Sequence, residues 1–209
     1  MTQTKIGVGM ISATSIGDAK VLQGDGSWVT PSAGALTFIS NTDISAAATY
    51  DFESFTAGSY EHYLFVLQNI IPATDAVHLH CLTSTDGGSS YDTGGSDYRW
   101  GVSVVATWDE AGANAYIALT GDAANTSMQV GSSSTESGVN GTVWLHGPHT
   151  TSFTAVSCSL SYANAGGVWA MSQGGGSRET AADVDGFRFL FSSGNIESGT
   201  ITAYGLANS

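Results

Sequence analysis

Apolar and polar side chains alternate at a spacing of two through most of this chain from Leu36 onward, the period of β-strands half-buried on a core. Tyr63, Phe65 and Leu67 share one strand face, and Trp100, Val102 and Val104 a second. Thr154, Val156, Cys158 and Leu160 form a third, and Phe187, Phe189 and Phe191 a fourth. The pattern predicts strands near 36–40, 46–52, 60–70, 77–84, 98–107, 114–120, 126–131, 140–146, 152–162, 167–172, 184–192 and 199–206, each bounded by Gly, Asn, Asp or Ser. Many short strands without an intervening helix imply an all-β fold, a two-sheet antiparallel β-sandwich of jelly-roll type whose aromatic rings fill the ~10 Å between sheets. The turn residues Ser192-Ser193-Gly194-Asn195 predict that 199–206 folds back on 184–192 as a core hairpin.

Residues 1–34 break this regularity. Gly7, Gly9, Gly17, Gly24, Gly26 and Gly34 interrupt every stretch, and no period persists. The segment reads as an extended N-terminal arm, 1–34, ahead of a sandwich domain, 35–209. Fully extended it reaches on the order of 100 Å. Inside it, an Asp25-Gly26 turn lies between Val21-Leu22 and Trp28-Val29, followed by Pro31, which suits a small hairpin with an aromatic anchor. Trp28 either packs on its own domain or docks on a neighbouring subunit.

Composition sharpens the picture. Of 209 residues, 42% are hydrophobic, only 11% are charged and 27 are Gly, which favours strands and tight turns over amphipathic helices. Eighteen acids against five Lys and Arg give a formal charge of −13, a surface that repels a phosphate backbone and disfavours nucleic acid as a partner. No apolar run approaches the ~20 residues of a membrane-spanning helix, and no basic-then-apolar secretory leader opens the chain. With so few Lys and Arg to guard strand edges, other subunits are expected to cover them. Cys81 and Cys158 both fall in predicted strands, as buried free thiols or, alternatively, as a disulfide.

Two phrases carry a resemblance. Asp185-Gly186-Phe187-Arg188-Phe189-Leu190-Phe191 with the following Gly199–Leu206 strand is one, and Ile71-Pro72-Ala73-Thr74-Asp75 leading into Ser84-Thr85-Asp86-Gly87-Gly88-Ser89-Ser90-Tyr91 is the other. In style and order they resemble small β-rich virion proteins of tailed bacteriophages, of the capsid-decoration, head-fibre and tail-fibre type. The phrase from Val21 to Pro31 is similar to one that precedes a globular module in phage fibre proteins. The resemblance implies a non-enzymatic structural protein of the virion, assembled in the host cytoplasm. It implies a homotrimeric decoration protein, anchored to the major capsid protein or another virion protein through Val21, Leu22, Trp28, Val29 and Pro31. The alternative is a tail-fibre module that binds a host glycan.

Candidate chemistry is sparse. Gly174-Gly175-Gly176 and Asp86-Gly87-Gly88 lack the following Lys and helix of a phosphate cradle and read as turns. There is no Gly-x-Ser-x-Gly elbow. His78 and His80 share one strand face and are candidate metal ligands, especially if three copies met on an axis; the competing reading is a pair of solvent-facing or hydrogen-bonded histidines on an outer sheet face. His146 and His149, around Gly147-Pro148, read as turn markers. Asp86, Asp92 and Asp97 lie in a loop whose oxygens could gather calcium, without EF-hand spacing. Tyr91, Tyr98, Trp108, Tyr162 and Trp169 are candidates to stack on sugars or, alternatively, to fill core and interface. No cofactor is implied, and no pair of carboxylates stands out as glycosidic.

Overall fold

The structure, a computed structural model, describes residues 21–22, 28–29, 36–56, 58–104, 107–121 and 128–207, with backbone alone described for 21, 22, 28, 29, 104, 107–113 and 207. The chain divides into two compact units, Met1–Gly34 and Ala35–Ser209. In the first, β1 (Val21–Leu22) pairs antiparallel with β2 (Trp28–Val29), Val21 opposite Val29.

The second unit holds β3 (Leu36–Ala47), β4 (Tyr50–Phe52), β5 (Tyr60–Pro72), β6 (Leu79–Ser84), β7 (Tyr98–Val104), β8 (Thr107–Asn114) and β9 (Ile117–Ala118). A single 3₁₀ turn at Ser134–Glu136 precedes β10 (Val139–His146), β11 (Ala155–Ala163), β12 (Trp169–Arg178), β13 (Gly186–Phe191) and β14 (Ile196–Ala207). These build an all-β sandwich of two antiparallel sheets. The large sheet has the order β3-β14-β5-β10-β11-β12-β7-β8 and the small one β4-β13-β6-β9. No helix among the described residues is long and apolar enough to cross a membrane.

Strand faces with described side chains turn inward as alternation predicts. Tyr63, Phe65 and Leu67 of β5 meet Phe187 and Phe189 of β13 across the sandwich, with Phe65 stacked on Phe187 at 5.2 Å. Phe52 lies edge-on to Phe65 at 5.1 Å, and Tyr50 beside Phe189 at 6.2 Å, so aromatic rings fill the space between sheets. Thr154, Val156, Cys158 and Leu160 are buried. Cys81 and Cys158 are free and buried in the same core, where desolvation pushes the Cys158 thiol up to about 12 and raises Cys81 well above its usual value.

Four expectations fail. The C-terminal hairpin does not form: β13 sits in the small sheet between β4 and β6, and β14 in the large one between β3 and β5. The turn at Ser192–Asn195 is a corner between sheets, with Ser192 N–H bonded to the His78 carbonyl at 2.8 Å. Second, the strand expected at 46–52 is split, because β3 ends at Ala47 and the chain crosses to the small sheet as β4. Third, Gly174-Gly175-Gly176 is no turn but the middle of β12. A Cβ on Gly174 would collide with the Gly101 carbonyl oxygen and one on Gly175 with that of Val156, so glycine there permits a close approach of neighbouring strands. Thr107–Asn114, expected as part loop, is the edge strand β8.

Candidate functional site

The two candidate metal ligands do not lie in solvent. His78 and His80 are 7% and 5% exposed, on the side of the small sheet that faces away from the core. The His80 ring stacks on Tyr116 at 3.8 Å and parallel to His78 at 6.3 Å. No group of three or more His, Cys, Asp or Glu converges as a metal site among the described residues. Burial, then the neighbouring His78, push His80 down to about 3, so it is neutral over most of the acid range. The cleft over this stack, about 340 Å³, is lined by His80, Leu82, Tyr116 and Leu190 among others.

The acidic loop is spent on itself. Asp86 accepts from Ser84 Oγ at 2.8 Å, Ser90 N at 2.8 Å and Ser90 Oγ at 2.6 Å, and these hydrogen bonds hold its carboxyl below the ordinary value. Asp92 accepts from Arg178 Nε at 2.8 Å, and Asp97 caps Gly94 N–H at 2.5 Å. Each carboxylate closes a turn or an ion pair, and the three do not surround a common point.

Two histidine contacts were not legible in the sequence. His149 Nδ1 lies 3.1 Å from Asp183 Oδ1 and its Nε2 3.4 Å from the Tyr63 hydroxyl, which accepts from Thr56 N–H at 2.8 Å. The sequence marked His149 as a turn residue; its partners are 34 and 86 positions away, and no local signal joins them. This Asp-His-Tyr line resembles a proton relay, but Tyr63 is fully buried and no substrate can reach its oxygen. It fastens three loops together. His146 Nε2 meets Ser157 Oγ at 2.9 Å across neighbouring strands. No carboxylate is bonded to that imidazole among the described residues, so the pair lacks the orienting acid of a nucleophilic site.

The sugar-stacking candidates separate cleanly. Tyr98 and Tyr162 are buried in the core, their hydroxyls bonded to the carbonyls of Asp92 at 3.2 Å and Met128 at 3.2 Å. Tyr91 lies under the Arg188 guanidinium at 3.8 Å. Trp169 is 63% exposed. The Trp108 side chain lies outside the described residues, as does Pro31, and so do the side chains of the other anchor candidates, Val21, Leu22, Trp28 and Val29.

What remains is the outer surface of the large sheet. Phe38, Tyr204, Leu64 and Trp144 stand in one row across β3, β14, β5 and β10, with Phe38 59% exposed and edge-on to Tyr204 at 6.0 Å. Towards the other edge, Trp169 and Met171 of β12, the latter 58% exposed, flank a depression of about 400 Å³ with Gln173 and Ser103. Between the two apolar ends lie Ser157, Ser159 and Ser161 of β11 and the glycines of β12, which keep the surface flat. Exposed large apolar side chains grouped on one face mark a contact surface. Comparison with protein-family models, with curated proteins and with solved structures finds no match.

Proposed function

We propose that this chain is a non-enzymatic structural protein of a tailed-phage virion, a homotrimeric capsid-decoration protein whose sandwich faces outward and whose residues 1–34 anchor it to another virion protein. The observation that carries the reading is the bare outer face of the large sheet, with Phe38, Trp169 and Met171 in water in the single chain. Burial of that face against other copies supplies the driving force for assembly. The phage-like phrases at 71–91 and 185–206 support the virion setting. The chemistry-bearing side chains described above are spent on packing, capping and ion pairs, which favours a structural role. The test is the number of copies per purified particle by quantitative gel, with light scattering of the free protein. Hundreds of copies and a mass of three chains, or of six where two trimers pair, support the reading; a few copies, or a 21.4 kDa species at micromolar concentration, overturn it.

One observation favours a second reading, a glycan-binding module. The exposed Trp169 ring beside Gln173 and Ser103 offers a stacking plane and hydrogen-bonding groups on one shallow depression. Saturable binding on a glycan array that Trp169→Ala removes supports it; the absence of saturable binding overturns it.

A further inference from the structure

Four strands end the two sheets: β3 and β8 the large one, β4 and β9 the small one. An edge strand leaves N–H and C=O groups unpaired along its free side, and folded proteins guard such edges by keeping them short or charged. β4 has three residues and β9 two, too few for a useful ladder. β8 carries Asp109 and Glu110 side by side.

β3 is less protected: it is long, and it is guarded only by one charge and by one extra residue, Ile39, in its ladder to β14. It runs for twelve residues, Leu36–Ala47, without Lys, Arg or Pro. Its one charge, Asp43, accepts a hydrogen bond from Thr200 Oγ1 at 2.7 Å. Only Ile44 of its side chains is buried. Beside it a groove of about 520 Å³ separates β3 from β4, lined in part by Ile44, Tyr50 and Phe52.

We infer that β3 is a strand-pairing edge whose occupant is the β3 of a second copy of this chain, the two running antiparallel about a twofold axis so that the large sheets continue into one another. The occupant must bring a free edge of comparable length, and this chain carries one. Antiparallel pairing of identical strands is self-complementary, so one surface serves both copies. Charge selects the same place. All three arginines of residues 35–209 are engaged, Arg99 with Glu179, Arg178 with Asp92 and Arg188 with Asp51, while the chain as a whole carries −13. Two such bodies repel over much of their surface. At β3 they meet with one carboxylate per strand, already held by a hydroxyl. This pairing goes beyond the structural role proposed above and does not depend on it.

Light scattering of the full chain, with hydrogen exchange at high and low concentration, tests the pairing. Wild type is expected at an even multiple of 21.4 kDa. The double variant Asn41→Lys with Ser45→Lys, both exposed positions that bring like charges together across the axis, should halve that mass and keep a cooperative melt. Asn41→Asp with Ser45→Asp should do the same, which separates edge repulsion from an effect of lysine alone. Amides of β3 should exchange about tenfold faster after dilution of wild type, while those of β5 stay unchanged. A fall from six chains to three keeps the trimer as well, and a fall from two to one keeps the pairing while removing the trimer. A wild-type mass that is an odd multiple, or that both double variants leave unaltered, overturns the inference. So does protection of β3 that appears only with a foreign chain bound.

Discussion

The outer faces of the two sheets are finished in opposite ways. On the small sheet the chain covers its own surface: Tyr91, from the 85–97 loop, lies under Arg188, which grips Asp51 through two hydrogen bonds of 2.6 Å, and Tyr116 lies on His80. His80, which alternates along β6 with the core residues Leu79 and Cys81, is thereby buried. On the large sheet no such cover is described, and Phe38, Trp169 and Met171 remain in water. A sheet face with apolar side chains needs something over it. One is covered by the chain itself, and the other stays exposed in the single chain.

The shared core sets the scale against which both faces are judged. Phe189 touches Tyr50, Phe65 and Phe187, and Phe189→Ala is expected to cost about 3–5 kcal/mol in urea unfolding. Loss of protection in the small sheet alone, by hydrogen exchange, would show that the two sheets do not melt as one. Acid probes the covered face next. An unfolded imidazole takes a proton near 6.5 and the buried His80 only near 3, so the unfolded state gains as pH falls through that window. Stability should drop by up to about 1.4 kcal/mol per pH unit between pH 6.5 and 3, and His80→Phe should flatten this part of the melting-temperature profile. Burial and His62 lower His146 in the same sense, so some slope survives in the variant.

Removing the clamp is a smaller blow. Arg188→Met gives up the stack on Tyr91 and the paired bonds to Asp51, for an expected loss of about 1–2 kcal/mol read from the urea midpoint. The open face should show the reverse balance. Trp169→Ser with Met171→Ser is expected to shift stability by less than about 0.5 kcal/mol while lowering the assembled mass in light scattering. A large loss of stability in the isolated chain would mean that this face is already covered.

Alternation made the inner faces legible because burial on one side of a strand writes a period of two into Tyr63-Phe65-Leu67 and Phe187-Phe189-Phe191. It could not say which sheet each strand joins. The turn after Phe191 has the residues of a hairpin, yet its corner sends β14 to the other sheet, and nothing local distinguishes the two outcomes. Glycine misled in β12, where it permits close strand approach and does not break the strand. The spacing of His78 and His80 put both on one strand face, but the burial of His80 depends on Tyr116, which arrives from a separate segment. The Asp183-His149-Tyr63 line is invisible for the same reason.

The position of β14 also governs the order of events during synthesis. β3 and β5 are both its neighbours, Leu36 pairing with Leu206 and Phe65 with Ala203, and the strand between them is translated after the other described strands. Until it leaves the ribosome, β3 has no neighbour in its own sheet and the nascent chain carries an unfilled slot. Such long-range closure makes for slow folding and leaves the edges of β3 and β5 unpaired until the last strand arrives.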